Sequence, residues 1–342
     1  MLTAIAAVVV FGILIVIHEV GHFLVARLVG IGVHEFSLGF GPRLCGFTKG
    51  RSAYNLRAIP LGGFVRLVGM DPQDEERDQP YSFVRKPVWQ RMAVIFAGPG
   101  MNFILAIVVL AAVFFFQGIP VATTKIAKVL PGYPAAAAGI KPGDRIVAVD
   151  GQPIHDWDEL LRSVGDKPTT RRVLTIERNR HRLLVEVVPV KENGKSKIGL
   201  LPVILQKRLG VGEAMVAGIQ YTGQIIKLIV LFLGKIFTQQ APADFGGPVR
   251  VVVEIGHAAK VGLFPLVQLT AFLSINLGFF NLLPIPALDG ARIGFLLWEG
   301  MTDSPVDPEK ENIIHLLGFT LLILLMVVVT YHDIVQLSGG VQ

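Results

Sequence analysis

The residues best suited to chemistry form one short run, His18-Glu19-Val20-Gly21-His22. On a helix, side chains four positions apart lie one turn from each other on the same face. Two imidazoles in this arrangement can bind one zinc ion, and the glutamate between them can act as a general base towards a water molecule at the metal. The spacing therefore predicts a metal site with His18 and His22 as ligands and Glu19 as the catalytic base.

The surroundings of this run are strongly apolar. Of the 342 residues, 52% are hydrophobic and only 17% are charged, against about 25% in soluble domains. A disordered chain is excluded by this composition, and a disulfide scaffold is excluded because Cys45 is the one cysteine. A charged residue at the centre of a bilayer costs about 2.5–3.5 kcal/mol. Glu19 and two histidines inside an apolar run therefore indicate a compensating metal.

The apolar runs predict a polytopic α-helical membrane protein with about four transmembrane helices, at about 2–24, 92–117, 263–288 and 313–331. Residues 206–262 are predicted to form amphipathic, membrane-associated linker helices. Within them, 212–237 carries Gln220, Gln224, Lys227 and Lys235, which favours a helix on the membrane surface; a further span is the alternative. The distribution of Lys and Arg places the 28–91 loop in the cytosol and 118–262 outside.

A catalytic zinc usually has three protein ligands, so a third ligand must reach the two histidines. Pro284 and Pro286 interrupt the third span, and unwound backbone at membrane depth is tolerated beside protein or a polar cavity. Asp289, which follows, is the predicted third ligand; a helix N-cap is the alternative. With four spans, Asp289 and the histidines share one membrane side, whereas a fifth span would separate them by about 30 Å.

Asn281 begins the interrupted stretch and has two possible uses. One is a hydrogen bond between packed membrane helices, and the other is contact with the backbone of a substrate.

Three motifs carry a family resemblance: His18-Glu-Val-Gly-His22, Gly98-Pro-Gly-Met-Asn102 and Asn281-Leu-Leu-Pro-Ile-Pro-Ala-Leu-Asp289-Gly290. With these motifs the chain resembles the site-2 protease family of intramembrane zinc metalloproteases, of the bacterial regulator-of-sigma-E type. The resemblance implies that His18, His22 and Asp289 bind Zn²⁺, that Glu19 is the general base, and that Asn281 helps to hold the substrate.

Residues 118–205 are expected to form an inserted extracytoplasmic α+β domain. Short apolar runs alternate with turn signals such as Pro142-Gly-Asp144 and Asp150-Gly151. The run resembles a single circularly permuted PDZ domain, with 198–202 as its peptide-binding loop and strand. The domain either binds a peptide ligand or only blocks access to the membrane site.

The cytosolic loop contains apolar strands around Pro60-Leu-Gly-Gly63. A surface hairpin is one interpretation, and the resemblance implies a membrane-associated β-hairpin that pairs with substrate.

The predicted function is intramembrane zinc endopeptidase activity on transmembrane segments of single-span proteins, with anti-sigma factors and signal-peptide remnants as candidates by resemblance. The predicted location is the bacterial inner membrane, with the active site towards the cytoplasm. The lipid bilayer is the other expected partner, and no nucleic-acid partner is expected. A membrane metal transporter and a non-catalytic PDZ adaptor are the alternatives.

Overall fold

The computed structural model describes residues 1–165, 170–192, 195–240 and 246–339. These residues form two compact units, one of Met1–Phe114 with Gly210–Gln342 and the other of Phe115–Leu209. The helices of the first unit are α1 (Leu2–Leu28), α2 (Val88–Gln117), α5 (Val211–Phe237), α6 (Pro248–Val261), α7 (Leu263–Asn281), α8 (Asp289–Thr302) and α9 (Pro308–Gly339). Its strands are β1 (Val33–Lys49) and β2 (Ser52–Leu67).

The second unit combines a sheet with two short helices, α3 (Pro134–Ala137) and α4 (Trp157–Gly165). Its strands are β3 (Ile119–Val129), β4 (Arg145–Val149), β5 (Gln152–Pro153), β6 (Arg172–Arg178), β7 (His181–Val187), β8 (Val190–Glu192), β9 (Lys195–Lys197) and β10 (Leu200–Lys207).

The apolar runs form long helices, with bounds that differ from those predicted. The first helix continues to Leu28, the second already begins at Val88, and the fourth extends over Pro308–Gly339. The third helix ends at Asn281, seven residues before the predicted boundary. Residues preceding a proline avoid the helical region, so Pro284 and Pro286 leave 282–288 without helix.

Among the described residues, five helices are long and apolar enough to cross a membrane: α1, α2, α5, α7 and α9. The fifth candidate, beyond the four predicted, is α5. It packs against α2, because a Cβ at Gly218 would lie only 2.8 Å from the main-chain oxygen of Ile107.

Helices α1 and α7 run in the same direction. The start of α1 contacts α6, since a Cβ at Gly256 would lie 2.5 Å from Thr3 Cγ2, and α6 leads directly into α7. Towards the end of α7, the Ser274 hydroxyl donates to the main-chain oxygen of Asn102, whose side chain lies 3.1 Å from His18. Both helices therefore start at the Thr3 end of the unit and finish at the His18 end.

Helix α9 runs in the opposite direction. Its Gly318 packs against Pro286 at the His18 end, where a Cβ would lie 2.2 Å from the proline Cβ. Further along, buried Asp333 accepts hydrogen bonds from the main-chain N–H groups of Gly247 and Arg250 at the start of α6. This carboxylate satisfies N–H groups of the first turn, which have no partner within their own helix.

Most apolar side chains of α9 are exposed, among them Leu316, Phe319 and Leu324. A soluble domain rarely exposes a continuous apolar surface of this kind. In a membrane-spanning helix such side chains face lipid, and the exposure therefore agrees with the predicted span.

Strands β1 and β2 are long enough to pair more than once. Residues 35–38 of β1 pair with 53–56 on one side and with 63–66 on the other, and 45–49 pair with 52–56. Gly62, with φ of 118°, lies where β2 passes from one side of β1 to the other. The result is a sheet of four side-by-side segments. Within the described chain, 63–66 is paired along one side only.

The sheet of the second unit has the order β10-β3-β4-β6-β7, with β5 paired to β4. Its core is formed by the alternating inward residues of β4 and β6, such as Ile146, Leu174 and Ile176, packed with Leu160 and Val164 of α4. Strand β10 is at the end of this order and pairs with β3.

Candidate metal centre and active site

The two histidines lie one turn apart on α1, and both are buried. Their Nε2 atoms are 3.2 Å apart. The Nδ1 of His22 is 2.8 Å from the main-chain oxygen of Val94 on α2. A carbonyl oxygen can only accept, so Nδ1 of His22 carries the proton. In the neutral ring, Nε2 is then left with a free lone pair for a metal.

Asp289 joins the histidines as the first residue of α8. Its Oδ2 lies 3.2 Å from Nε2 of His18 and 3.5 Å from Nε2 of His22. Among the residues that the structure describes, these three form the one group of His, Cys, Asp or Glu whose ligand atoms converge. His18 and Asp289, which are 271 positions apart in the chain, thus meet at one point.

The donor set matches the requirements of zinc. Histidine nitrogen and carboxylate oxygen are both zinc ligands, and ligand atoms about 2.0–2.1 Å from a tetrahedral ion lie about 3.3 Å apart. The three observed separations are 3.2, 3.2 and 3.5 Å. The residues present therefore fit a three-ligand zinc site with a position left for water or substrate.

Glu19 shares a cavity of about 280 Å³ with the three candidate ligands. The Val65 main chain of β2 donates a hydrogen bond to its carboxylate. A Cβ at Gly63 would lie 3.1 Å from Cγ of Glu19, so the edge segment of the sheet lies directly against this side chain. Glu19 thus lies beside the candidate ligands and next to a strand edge that has no partner strand in the described chain.

The non-helical segment 282–288 positions Asp289 through contacts of its own. The main-chain N–H of Ala287, a residue with φ of 77°, donates to Nδ1 of His315 on α9 over 2.9 Å. A side chain at Gly290 has no room, because its Cβ would lie 2.2 Å from the main-chain oxygen of Leu283. Two close contacts therefore fix the backbone on either side of the aspartate.

Helices α1 and α2 approach each other closely at the site. A Cβ at Gly21 would lie 2.2 Å from the main-chain oxygen of Ala97, and a Cβ at Gly98 would lie 2.2 Å from Nε2 of His22. The first contact keeps the helix backbones together, and the second shows that the His22 ring occupies the space above Gly98. Glycine is therefore needed at both positions for the His22 ring to lie beside Asp289.

The charged hairpin residues next to the site are fixed by a hydrogen-bond cluster. Glu35 accepts hydrogen bonds from Ser37, Asn55 and Arg57. Burial alone would raise the pKa of Glu35, but these hydrogen bonds and the charge of Arg57 lower it to about 2. The carboxylate therefore stays ionised and ties segment 35–38 to the neighbouring segment 53–56.

Comparison with known proteins identifies the family. The model of peptidase family M50 matches residues 6–325. The chain is 33% identical to the regulator of sigma-W protease RasP of Bacillus subtilis, over 98% of this chain and 99% of the relative. It is also 33% identical to the zinc metalloprotease RasP of Geobacillus kaustophilus, over 96% of this chain and 97% of the relative.

The chain belongs to peptidase family M50. It is therefore a multi-pass membrane protein and an intramembrane zinc metalloprotease, as the sequence predicted. A comparison with solved structures matches 25% of this M50 peptidase to 99% of the PDZ domain of an SdrC-like protein from Listeria innocua. The matched residues are 18% identical, and the TM-score of 0.23 is too low to establish a shared fold.

Asn281, predicted to contact substrate, is the last residue of α7 in this M50 peptidase and is half-buried. It is not among the residues that line the cavity around Glu19. Its role in holding substrate stays a prediction.

Sequence reasoning assigned no role to four residues that the structure places at the site of the M50 peptidase: Gly98, Asn102, His315 and Arg292. Asn102 had a visible signal, because it is a polar residue in the uncharged stretch 92–124. Arg292 lies three residues after Asp289, lines the cavity and donates to Met70 Sδ over 3.5 Å. Its spacing from Asp289 could have placed it on the same face of α8.

Proposed function

We propose that His18, His22 and Asp289 bind the zinc ion of this peptidase and that Glu19 is its general base. The observation that carries this assignment is the convergence of the three ligand atoms in the cavity that Glu19 also lines. The ion would polarise the scissile carbonyl and lower the pKa of the attacking water.

As the water oxygen forms a bond to the scissile carbonyl carbon, Glu19 accepts one proton from that water. Glu19 then gives this proton to the amine nitrogen, and the peptide C–N bond breaks to leave a carboxyl group and a free amine. His22 is held in the ligating tautomer by Val94. Burial of both histidines excludes bulk water from the ligand side of the site.

The substrate is the transmembrane segment of a single-span protein, bound as an added strand along residues 63–66. A transmembrane helix must unwind before its peptide bond is attacked, and its freed N–H and C=O groups then need partners. The edge segment offers such partners next to Glu19, and an extended peptide commonly adds to an exposed edge in this way. Asn281 is a further candidate contact for the unwound backbone.

Membrane-bound anti-sigma factors are the preferred substrate class, with signal-peptide remnants as the second. The name of the Bacillus subtilis relative, regulator of sigma-W protease, connects that protein with regulation of a sigma factor. A sequence about one-third identical over nearly its whole length supports the same type of substrate here.

Four spans, α1, α2, α7 and α9, account best for the helix directions. With α1 and α7 parallel and α2 between them, the connection from α2 to α7 must cross the membrane an even number of times. If α5 crossed, α6 would have to cross as well, yet α6 has 14 residues and a span needs about 20. Helix α5 is therefore proposed to lie on or partly in the membrane. The distribution of Lys and Arg supports an active site that faces the cytoplasm and an extracytoplasmic position for residues 118–205.

The function is tested in cells that produce either the wild type or Glu19→Gln. We expect single-span membrane fragments to accumulate in cells with the variant and to disappear with the wild type, as measured by quantitative proteomics of the membranes. Zinc flux into liposomes carrying the purified wild type, without cleavage of any membrane protein, would instead favour a metal transporter. An identical fragment pattern in both cell lines would favour a non-catalytic adaptor.

The second unit is proposed to bind peptide in an apolar groove of about 260 Å³ between α4 and the start of β10. Leu161 of α4 and Leu201 of β10 line this groove and are both exposed. Because β10 is an end strand, a peptide can add to its free side while its side chains enter the groove. This is the ligand mode expected of a PDZ domain.

If peptides bind in this groove, Leu161→Arg in the full-length protein should weaken their binding by at least about tenfold. The reason is that the peptide would bury an unpaired charge, which costs several kcal/mol. Suitable ligands are ten-residue peptides with an apolar residue at a free C-terminus. Fluorescence polarisation against a labelled peptide library measures the effect. Leu184→Arg is the matched control, because Leu184 of β7 is exposed and does not line the groove. If no peptide binds to the wild type, the domain acts by blocking access to the membrane site.

A further inference from the structure

Asn102 lies on α2 opposite the ring of His18. Nε2 of His18 faces Asp289 and His22, and Nδ1 faces the Asn102 amide at 3.1 Å. A neutral imidazole carries one proton, so a ring that ligates through Nε2 must hold its proton on Nδ1. That proton needs an acceptor, because the position is buried.

His22 and His18 meet this requirement in different ways. His22 has the main-chain oxygen of Val94, which can only accept. For His18, the group within reach is the Asn102 side chain, with its Nδ2 towards the ring and its Oδ1 buried and unpartnered within the described chain. Amide oxygen and nitrogen fill nearly the same volume, and the two orientations are interchangeable by rotation of the amide. Within the described part of the chain, Oδ1 makes no hydrogen bond that this rotation would break.

We propose that Asn102 is a positioning residue of the zinc site, which presents Oδ1 to the Nδ1–H of His18 and thereby holds His18 in the tautomer that ligates through Nε2. The proposal rests on the proposed role of His18 as a ligand. Metal-ligating histidines generally donate their second N–H to a carboxylate or a carbonyl, which fixes the ring and raises its basicity. In this site the acceptor is a side-chain amide.

The backbone of Asn102 is held independently of its side chain. Its main-chain oxygen accepts the Ser274 hydroxyl over 2.7 Å, and a Cβ at Gly278 would lie 3.3 Å from the Asn102 Cβ. Helix α7 therefore packs against α2 at this residue. The packing of Gly278 against the Asn102 Cβ keeps the amide within reach of His18 even without the Ser274 hydrogen bond.

The test compares the zinc affinity of purified, detergent-solubilised Asn102→Leu and Asn102→Asp with that of the wild type, by competition with a chromophoric chelator. Leucine fills the space but cannot accept, so zinc affinity should fall by roughly 10–100-fold. Aspartate can only accept when ionised, so it should restore affinity to the wild-type value or above. A residue that merely packs two helices would tolerate leucine better than buried aspartate.

Two reference variants make each outcome decisive. Ser274→Ala removes the hydrogen bond to the Asn102 main chain but leaves the amide, and it should bind zinc as the wild type does. His18→Gln should lose zinc binding; if it does not, the proposed ligand set is wrong. The role proposed for Asn102 is wrong if folded Asn102→Leu binds zinc like the wild type while His18→Gln does not bind it. It is also wrong if Asn102→Asp binds zinc as weakly as Asn102→Leu. Asn102→Ala, which is smaller, replaces the leucine variant should that variant fail to fold.

Discussion

The Glu19→Gln variant is expected to cleave a model transmembrane substrate roughly 10²–10⁴-fold more slowly than the wild type, the usual contribution of a positioned general base. Glutamine has the same shape as glutamate and can still accept a hydrogen bond from Val65. It cannot take a proton from the attacking water. The rate constant for cleavage by purified enzyme in detergent or bilayers measures the effect.

The same variant should retain its zinc, because Glu19 is not among the three converging ligands. Metal content after dialysis distinguishes a lost base from a lost metal. Glu309→Gln makes the same chemical change at an exposed position at the start of α9 and should leave cleavage unchanged. Wild-type rates in Glu19→Gln would contradict the assignment of the base, and loss of zinc would show that Glu19 belongs to the ligand set.

Gly98→Ala is expected to lower zinc affinity by roughly 10–100-fold, because forcing a methyl group into a filled space costs about 1–3 kcal/mol. The new Cβ would lie 2.2 Å from Nε2 of His22. Separation of the helices would relieve this contact only at the expense of the close packing of Gly21 against the main chain of Ala97. The ring of His22 must therefore move and lose its place beside Asp289.

Gly100→Ala provides the matched control for this prediction. It lies on the same helix two residues later, and its Cβ would meet the ring of Phe96 at 3.4 Å, an ordinary contact. Both substitutions gain about 1 kcal/mol of helix propensity over glycine. Zinc affinity and the thermal midpoint in detergent should therefore fall in Gly98→Ala alone. Equal zinc affinities in the two variants would show that the contact with His22 relaxes without consequence.

Several features of the site follow from local rules and were therefore accessible from the sequence. The pairing of His18 with His22 depends only on the helical repeat. The interruption after Asn281 depends on Pro284 and Pro286, which cannot continue a helix. Asp289 was predicted as a ligand from the chemistry that two histidines still require, and the structure brings it within 3.5 Å of both rings.

Other features depend on how distant segments pack, and no local rule contains them. The contacts of Asn102 with His18 and of Ala287 with His315 require particular offsets between neighbouring helices. The placement of residues 63–66 against Glu19 requires β1 to pair with β2 on both of its sides, a register that alternation of side chains alone does not fix.

The sequence by itself predicted the chemistry proposed for this protein, namely zinc binding by a histidine pair and by an aspartate beyond a broken helix, with a glutamate as base. The tertiary structure decided which further groups lie beside these residues: the amide of Asn102 next to His18, Gly98 next to His22 and the strand edge next to Glu19. The physical reason is the separation along the chain of the groups that must meet. Ligand spacing along one helix is a property of the backbone, whereas tautomer, ring position and access for substrate depend on atoms brought together only by packing.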